Sequence, residues 1–148
     1  MRTGIGSLVL LVVAGGCAGA DLPAGWEDAE RIAVTQSECA GNPYERNQEA
    51  MQASPHGAGI DLVYQKAHFR CEQTVEAFVR TEGERIDLLF QPVDMEPGTV
   101  AACDCLYDLT VSLEADPGAR EVTVYRRWDN LNTPNDPVPI GSASVTVP

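Results

Sequence analysis

Five cysteines offer most of the reactive side-chain chemistry in this chain of 148 residues, and they stand at positions 17, 39, 71, 103 and 105. A cysteine sulfur either bonds to a second sulfur in a disulfide or, as a thiolate, ligates a soft metal ion such as zinc or Cu(I). His68 stands three residues before Cys71 and adds an imidazole to the potential ligands. The sequence therefore allows two interpretations of the cysteines, cross-links or a metal site.

The amino-terminal segment has the features of an export signal. Arg2 is followed by an apolar stretch at residues 5–14 and then by Gly-Gly-Cys, which ends at Cys17. Ten apolar residues are too few to span a bilayer of roughly 30 Å, so residues 1–16 are predicted to be a signal peptide. Its last residues resemble the lipobox of bacterial lipoproteins, whose cysteine is diacylated, with palmitate for example, and becomes the first residue of the mature chain.

The number of cysteines supports lipidation of Cys17. An odd number of cysteines in an exported protein needs an explanation, and removing Cys17 leaves an even set, Cys39, Cys71, Cys103 and Cys105. The alternative is an ordinary signal peptide cleaved after Ala18 or Ala20. We therefore expect an exported protein that is lipid-anchored to the bacterial cell envelope, at the outer membrane.

Spacing restricts how the four remaining cysteines can pair. Cys103 and Cys105 lie in a segment, residues 102–113, in which apolar and polar side chains alternate as in a half-buried strand. Two residues apart on a strand, their Cα atoms are separated by about 6.6 Å and their side chains are parallel, which disfavours a bond between them. Two pairings remain, in which Cys71 bonds to one of these cysteines and Cys39 bonds to the other.

The alternative to cross-linking is a metal site made of His68, Cys71, Cys103 and Cys105. In a regular strand His68 and Cys71 point to opposite faces, because they are three residues apart. An exported compartment also oxidises spare thiols. Both arguments favour disulfides over a bound metal, and no cofactor is expected.

Strand-like alternation recurs along the chain, with turn signals between its copies. The predicted strands cover residues 29–35, 60–71, 73–80, 85–93, 102–113, 121–128 and 140–147. Six or seven short strands without an amphipathic helix are typical of an all-β fold, here an antiparallel β-sandwich. We assign residues 17–28 to a lipid-anchored tether, because they are rich in Gly, Pro and Asp, and residues 29–148 to the sandwich.

Two local expectations follow from the pattern. Within residues 60–71 the alternation assigns four side chains to the core face, those of Val63, Ala67, Phe69 and Cys71. It assigns Leu62 and Tyr64 to the opposite face. Residues 36–59 contain Asn-Pro, Ser-Pro and two glycines, and they are predicted to be a long loop with at most a helical turn at residues 44–52.

Composition and spacing exclude several classes of function. The formal net charge of −12, with Lys66 as the single lysine, argues against a nucleic-acid surface and against docking on anionic lipid. Of the two histidines, neither lies near a serine in a recognised nucleophile motif. Carboxylate pairs such as Glu82 with Glu84 flank turns, where solvated side chains are the ordinary explanation. We do not expect an enzyme.

Two segments carry a resemblance to a family. They are Ala-His-Phe-Arg-Cys at residues 67–71 and Cys-Asp-Cys-Leu-Tyr-Asp at residues 103–108, with a Pro-Gly turn beyond them. This part of the chain, residues 60–129, resembles a family of small uncharacterised bacterial secreted lipoproteins. The resemblance implies an immunoglobulin-like sandwich but no known activity. Relatives often have two adjacent cysteines where this chain has only Cys71, which implies that Cys39 replaces the second one.

These inferences together predict a non-enzymatic, lipid-anchored envelope protein that acts as a structural or protein-binding module. Its partners would be the membrane, through the lipid, and another envelope protein, but not nucleic acid. The alternative is a metal-handling protein for zinc or copper that uses His68, Cys71, Cys103 and Cys105.

Overall fold

The computed structural model describes residues 21–45, 49–93, 103–128 and 136–148. Within these ranges the chain forms strands and turns, and the strands are β1 (Glu30–Ile32), β2 (Thr35–Gln36), β3 (Ala50–His56), β4 (Gly59–Arg70), β5 (Val75–Glu82), β6 (Arg85–Pro92), β7 (Asp104–Glu114), β8 (Gly118–Arg126) and β9 (Val138–Val147). The predicted signal peptide and Cys17 lie outside the described residues.

The strands form two sheets. One sheet has the order β1-β5-β6-β8-β9 and the other the order β2-β7-β4-β3. Every pairing is antiparallel except that of β6 with β8, which is parallel. The parallel pair arises because the chain leaves β6, crosses to the other sheet as β7, and returns beside β6 as β8. The predicted β-sandwich is confirmed, with this one parallel pair as a difference.

The core lies between the two sheets and confirms the alternation predicted for residues 102–113 from Cys105 onwards. Cys103, which the same alternation assigned to the buried face, is exposed because it lies before the start of β7. The inward side chains of β7 are all buried, namely Cys105, Tyr107, Leu109, Val111 and Leu113. They pack against buried residues of β4, β6 and β8. Fully burying one large apolar side chain stabilises a protein by about 1.5–3 kcal/mol. The pairing of β7 with β4 therefore brings together the largest part of one wall of the core.

The alternation predicted for β4 is wrong in its first half. Leu62 and Tyr64 are fully buried, whereas Val63 lies on the outer face and is half-buried. The register with β7 shifts by one residue between Tyr64 and Ala67, which marks a β-bulge. An extra residue in a strand reverses the alternation of faces beyond it, so Ala67 and Phe69 face the core as predicted.

The bulge places Lys66 in an uncommon backbone conformation. Its φ is 55°, in the left-handed region that residues other than glycine rarely adopt. The backbone N–H of Lys66 donates to Oδ1 of Asp108 at 3.0 Å, so a β7 side chain accepts the hydrogen bond that the regular ladder would have provided. The pairing of β4 with β7 thereby continues past the bulge.

The prediction of a loop over residues 36–59 is wrong at its carboxyl end, where the structure has β3. A two-residue turn that starts at Gly57, with φ of 56°, joins β3 to β4 in a hairpin. Pro55 is compatible with β3 because this strand is at the edge of its sheet, where the missing N–H costs no ladder hydrogen bond. The strand also occupies residues 50–52 of the segment considered for a helical turn, of which residues 46–48 lie outside the described residues.

An amino-terminal segment covers the outer face of the five-stranded sheet. Trp26 is buried against Phe78 and Leu89, and its ring meets Tyr125 edge-on at a centroid distance of 5.4 Å. The guanidinium of Arg80 lies 4.2 Å from the centre of the Trp26 ring. Residues 21–28, which the sequence analysis assigned to a tether, are thus packed against the sandwich.

A buried polar network fixes the start of this segment. Arg127 is almost fully buried, and its Nη1 donates to the carbonyl oxygen of Asp21 at 2.6 Å and to Oε1 of Gln91 at 3.3 Å. Nε2 of Gln91 in turn donates to Oε1 of Glu76 at 3.1 Å. Buried polar groups are stable only when hydrogen-bonded, so this network holds the segment in one position.

Candidate functional site

The four cysteines of the described chain form two disulfides close together at one end of the sandwich, and we call this group the sulfur cluster. Cys39 is bonded to Cys105 and Cys71 to Cys103, with a Cα–Cα distance of 5.5 Å in each. This is one of the two pairings that the sequence allows, and the prediction that Cys103 and Cys105 do not bond to each other is confirmed.

Local geometry selects this pairing. The backbone N–H of Cys71 donates to the carbonyl oxygen of Cys103 at 2.9 Å. These two residues therefore lie opposite each other, one just after the last residue of β4 and the other just before the first residue of β7. Cys105 is instead paired in register with Phe69, and its disulfide joins β7 to the segment that follows β2. The two bonds enclose 66 and 32 residues of sequence, and each stabilises by about 4 kcal/mol in the chain-entropy model.

The two disulfides lie in direct contact. Sγ of Cys105 is 3.5 Å from Sγ of Cys71, although these two sulfurs are not bonded to each other. Cys105 is buried and Cys71 half-buried, whereas Cys39 and Cys103 are exposed. Each disulfide therefore joins one exposed cysteine to one inner cysteine, and the inner sulfurs meet.

His68 lies outside the sulfur cluster. Its Nε2 is 3.4 Å from Oδ2 of Asp104, and its ring contacts Trp128 edge-on at a centroid distance of 4.8 Å. In the described residues no group of three or more His, Cys, Asp or Glu side chains is arranged to hold a metal ion. The set predicted as an alternative, His68 with Cys71, Cys103 and Cys105, is thus not assembled in the disulfide-bonded protein.

Two charged side chains cover the edge of β4 beyond the bulge. Strand β3 begins at Ala50, opposite Gln65, so no strand of the described residues lies beside His68 on that edge. Oε1 of Glu49 accepts the backbone N–H of His68 at 3.0 Å, and Nη1 of Arg126 donates to its carbonyl oxygen at 3.2 Å. Glu49 and Arg126 also form an ion pair with each other. Side chains thus replace a neighbouring strand and close an edge to which another chain could add.

The ion pair also affects the hydroxyl of Tyr64. Burial raises the pKa of Tyr64 well above its ordinary value of 10, and the negative charge of Glu49 raises it further, while Arg126 lowers it. The phenol therefore remains protonated in the folded protein at a pH where it ionises in the unfolded chain.

The basic and aromatic residues 125–128 are engaged within the protein. Trp128 stacks on Phe69 at a centroid distance of 6.2 Å and covers the end of the core. The guanidinium of Arg126 lies 5.3 Å from the centre of the Trp128 ring. Tyr125 packs on Trp26, and Arg127 belongs to the network that holds Asp21. These side chains serve packing, so they are poorly placed to bind an acidic ligand.

A cleft lies beside the bulge on the outer face of the four-stranded sheet. Its volume is about 380 Å³, and its lining includes Ser37, Leu106 and Asp108. Lys66 lines both this cleft and a second one of about 240 Å³ that reaches Glu49 and Arg126. Among the described residues Lys66 has no ion-pair partner. The cleft thus combines the apolar side chain of Leu106 with the carboxylate of Asp108 and the ammonium group of Lys66.

No pattern in the sequence predicted this cleft. Lys66 stood out only as the single lysine, and Glu49 lies in the segment predicted to be a loop. The single available signal was the break in alternation at residues 65 and 66, where two polar residues are adjacent. A bulge is one cause of such a break.

No protein-family model, no curated protein and no solved structure matches this chain. Within residues 21–45, 49–93, 103–128 and 136–148 there is also no helix with the length and hydrophobicity needed to cross a membrane.

Removal of Glu49 and of Arg126 should show strong energetic coupling. We expect each single change, Glu49→Ala or Arg126→Ala, to lower the free energy of unfolding by about 1–3 kcal/mol, because each leaves a polar group of His68 without its partner. The double variant should lose less than the sum, with a coupling energy of about 1–3 kcal/mol. Urea unfolding with the disulfides intact measures these values. Additive losses would show that the two side chains act separately.

Tyr64→Phe should weaken the loss of stability at alkaline pH. Above pH of about 10 the unfolded chain releases the Tyr64 proton while the folded protein retains it, so stability falls by up to about 1.4 kcal/mol per pH unit. Phenylalanine removes this contribution, and Tyr44→Phe, at an exposed tyrosine, is the matched control. Urea unfolding at several pH values measures the slope, and an identical slope in the wild type and Tyr64→Phe would contradict the expectation.

Proposed function

We propose that this chain is a lipid-anchored envelope protein whose β-sandwich is a structural or protein-binding module. The observation that carries the proposal is the pair of disulfides, because such bonds persist in oxidising compartments outside the cytoplasm. The predicted signal peptide, residues 1–16, is consistent with the same compartment. The resemblance to small secreted lipoproteins agrees with this location.

The packed amino-terminal segment supports a short link between lipid and domain. The described part of this segment begins at Asp21, whose carbonyl oxygen is held by Arg127. Only three residues separate Asp21 from Cys17 in the sequence. An extended chain spans about 3.3–3.6 Å per residue, so a lipid on Cys17 would hold the sandwich within roughly 15 Å of the membrane surface.

We propose that the cleft beside the bulge is the protein-binding surface. The left-handed conformation of Lys66 is uncommon and costs backbone energy, and such strain concentrates at functional positions. Leu106 provides apolar contact area, and the ammonium of Lys66 can pair with a carboxylate of the partner. A partner segment that carries an Asp or Glu side chain fits this chemistry.

Mass spectrometry of the native protein tests the anchor. We expect a mature chain that begins at Cys17, carries the mass of acyl chains, and gains four hydrogens on reduction, two per disulfide. Cys17→Ala should abolish the acyl mass and release the protein from membranes, while the disulfides remain. A chain cleaved after Ala18 or Ala20, without acyl mass, would contradict the lipid anchor.

Cross-linking through Lys66 tests the binding surface. Because Lys66 is the only lysine, a carbodiimide that joins amines to carboxylates in native envelopes should couple a partner at this side chain. The matched control Lys66→Arg keeps the positive charge but removes the amine, so we expect the cross-linked peptide that contains residue 66 to disappear while co-purification of the partner persists. Peptide mapping identifies the joined residues. Partner cross-links that map only to carboxylates of this chain outside the cleft, with none at Lys66, would show that the partner binds elsewhere.

A further inference from the structure

We propose that the sulfur cluster is a thiol–disulfide exchange site. Attack on the Cys39–Cys105 bond there leads to replacement of the Cys71–Cys103 bond by a Cys71–Cys105 bond. The attacking group is a thiolate, either of a small thiol or of a cysteine on another protein. The proposal goes beyond the binding function and does not depend on the lipid anchor.

The positions of the sulfurs carry the inference. The inner sulfurs of Cys71 and Cys105 are 3.5 Å apart, which is the separation of reacting atoms poised for attack. The outer cysteines, Cys39 and Cys103, are exposed, so a thiolate from solvent can reach either disulfide. The two bonds are thus connected through their inner sulfurs and open to solvent through their outer ones.

The exchange proceeds in three balanced steps. An external thiolate attacks Sγ of Cys39, forms a mixed disulfide there, and the electron pair of the broken bond leaves on Cys105. The Cys105 thiolate attacks Sγ of Cys71, forms the Cys71–Cys105 bond, and releases the thiolate of Cys103. The Cys103 thiolate can then attack the mixed disulfide at Sγ of Cys39, form the Cys39–Cys103 bond, and release the external thiolate. Two disulfides exist before and after, so there is no net oxidation.

Burial gives the second step its direction. A thiolate on buried Cys105 lacks hydration, whereas the same charge on exposed Cys103 is solvated. Transfer of the bond to Cys71–Cys105 therefore moves the free thiolate from the interior to the surface. There it can attack a further disulfide, either the mixed one at Cys39 or one on a second protein.

Two single variants test the exchange because each should converge on the same inner bond. In Cys39→Ser the free Cys105 should take Cys71, leaving Cys103 as the free thiol. In Cys103→Ser the free Cys71 should take Cys105, leaving Cys39 as the free thiol. After acid quenching, alkylation under denaturing conditions and peptide mapping should find at least about tenfold more label on the outer cysteine than on the inner one, since burial raises a thiol pKa by a unit or more.

Cys105→Ser is the matched control. It removes the inner sulfur through which the bonds communicate, so Cys71–Cys103 should remain and Cys39 should carry the label. Retention of Cys71–Cys103 in Cys39→Ser, with the label on Cys105, would overturn the proposal.

A measurement on the wild-type protein is independent of whether the variants fold. The protein is treated briefly with less than one equivalent of glutathione, quenched and mapped in the same way. Molecules that carry glutathione on Cys39 should carry the alkyl label on Cys103. Label on Cys105 in those molecules would likewise overturn the proposal.

Discussion

The pairing of β4 with β7 is the interaction on which the rest of this structure depends. These strands form the centre of the four-stranded sheet and bury their inner faces against the other sheet. Both disulfides include cysteines at one end of this strand pair. The bulge that creates the cleft lies within the same pair. Core, cross-links and candidate site are therefore consequences of one strand alignment.

The bulge links packing to function. One additional residue in β4 lets Leu62 and Tyr64, before the bulge, and Phe69, after it, all face the core. The bulge also turns Lys66 outward beside Leu106, and the pairing of β4 with β3 ends there, at Gln65. The exposed edge that results is closed by the ion pair of Glu49 and Arg126 instead of a strand. An irregularity in the ladder thus accounts for both the cleft and its charged rim.

The amino-terminal segment gives the outer face of the other sheet a comparable role. Phe78 and Leu89 point away from the core and would be exposed without Trp26. Arg80 and Arg127 hold the segment at its two ends, through the Trp26 ring and the Asp21 carbonyl. The outer face of the five-stranded sheet is thereby covered around Phe78 and Leu89.

The sequence by itself determined the all-β class, the inward residues of β7 and the restriction of the cysteines to two pairings, because alternation and residue spacing are local properties. The tertiary structure alone decided which pairing forms, since that depends on whether Cys71 lies opposite Cys103 or Cys105. It also decided the faces of Leu62 and Tyr64, because the only sign of the bulge in the sequence is two adjacent polar residues at 65 and 66. The contact of Trp26 with Phe78 joins distant parts of the chain, so no local pattern could reveal it.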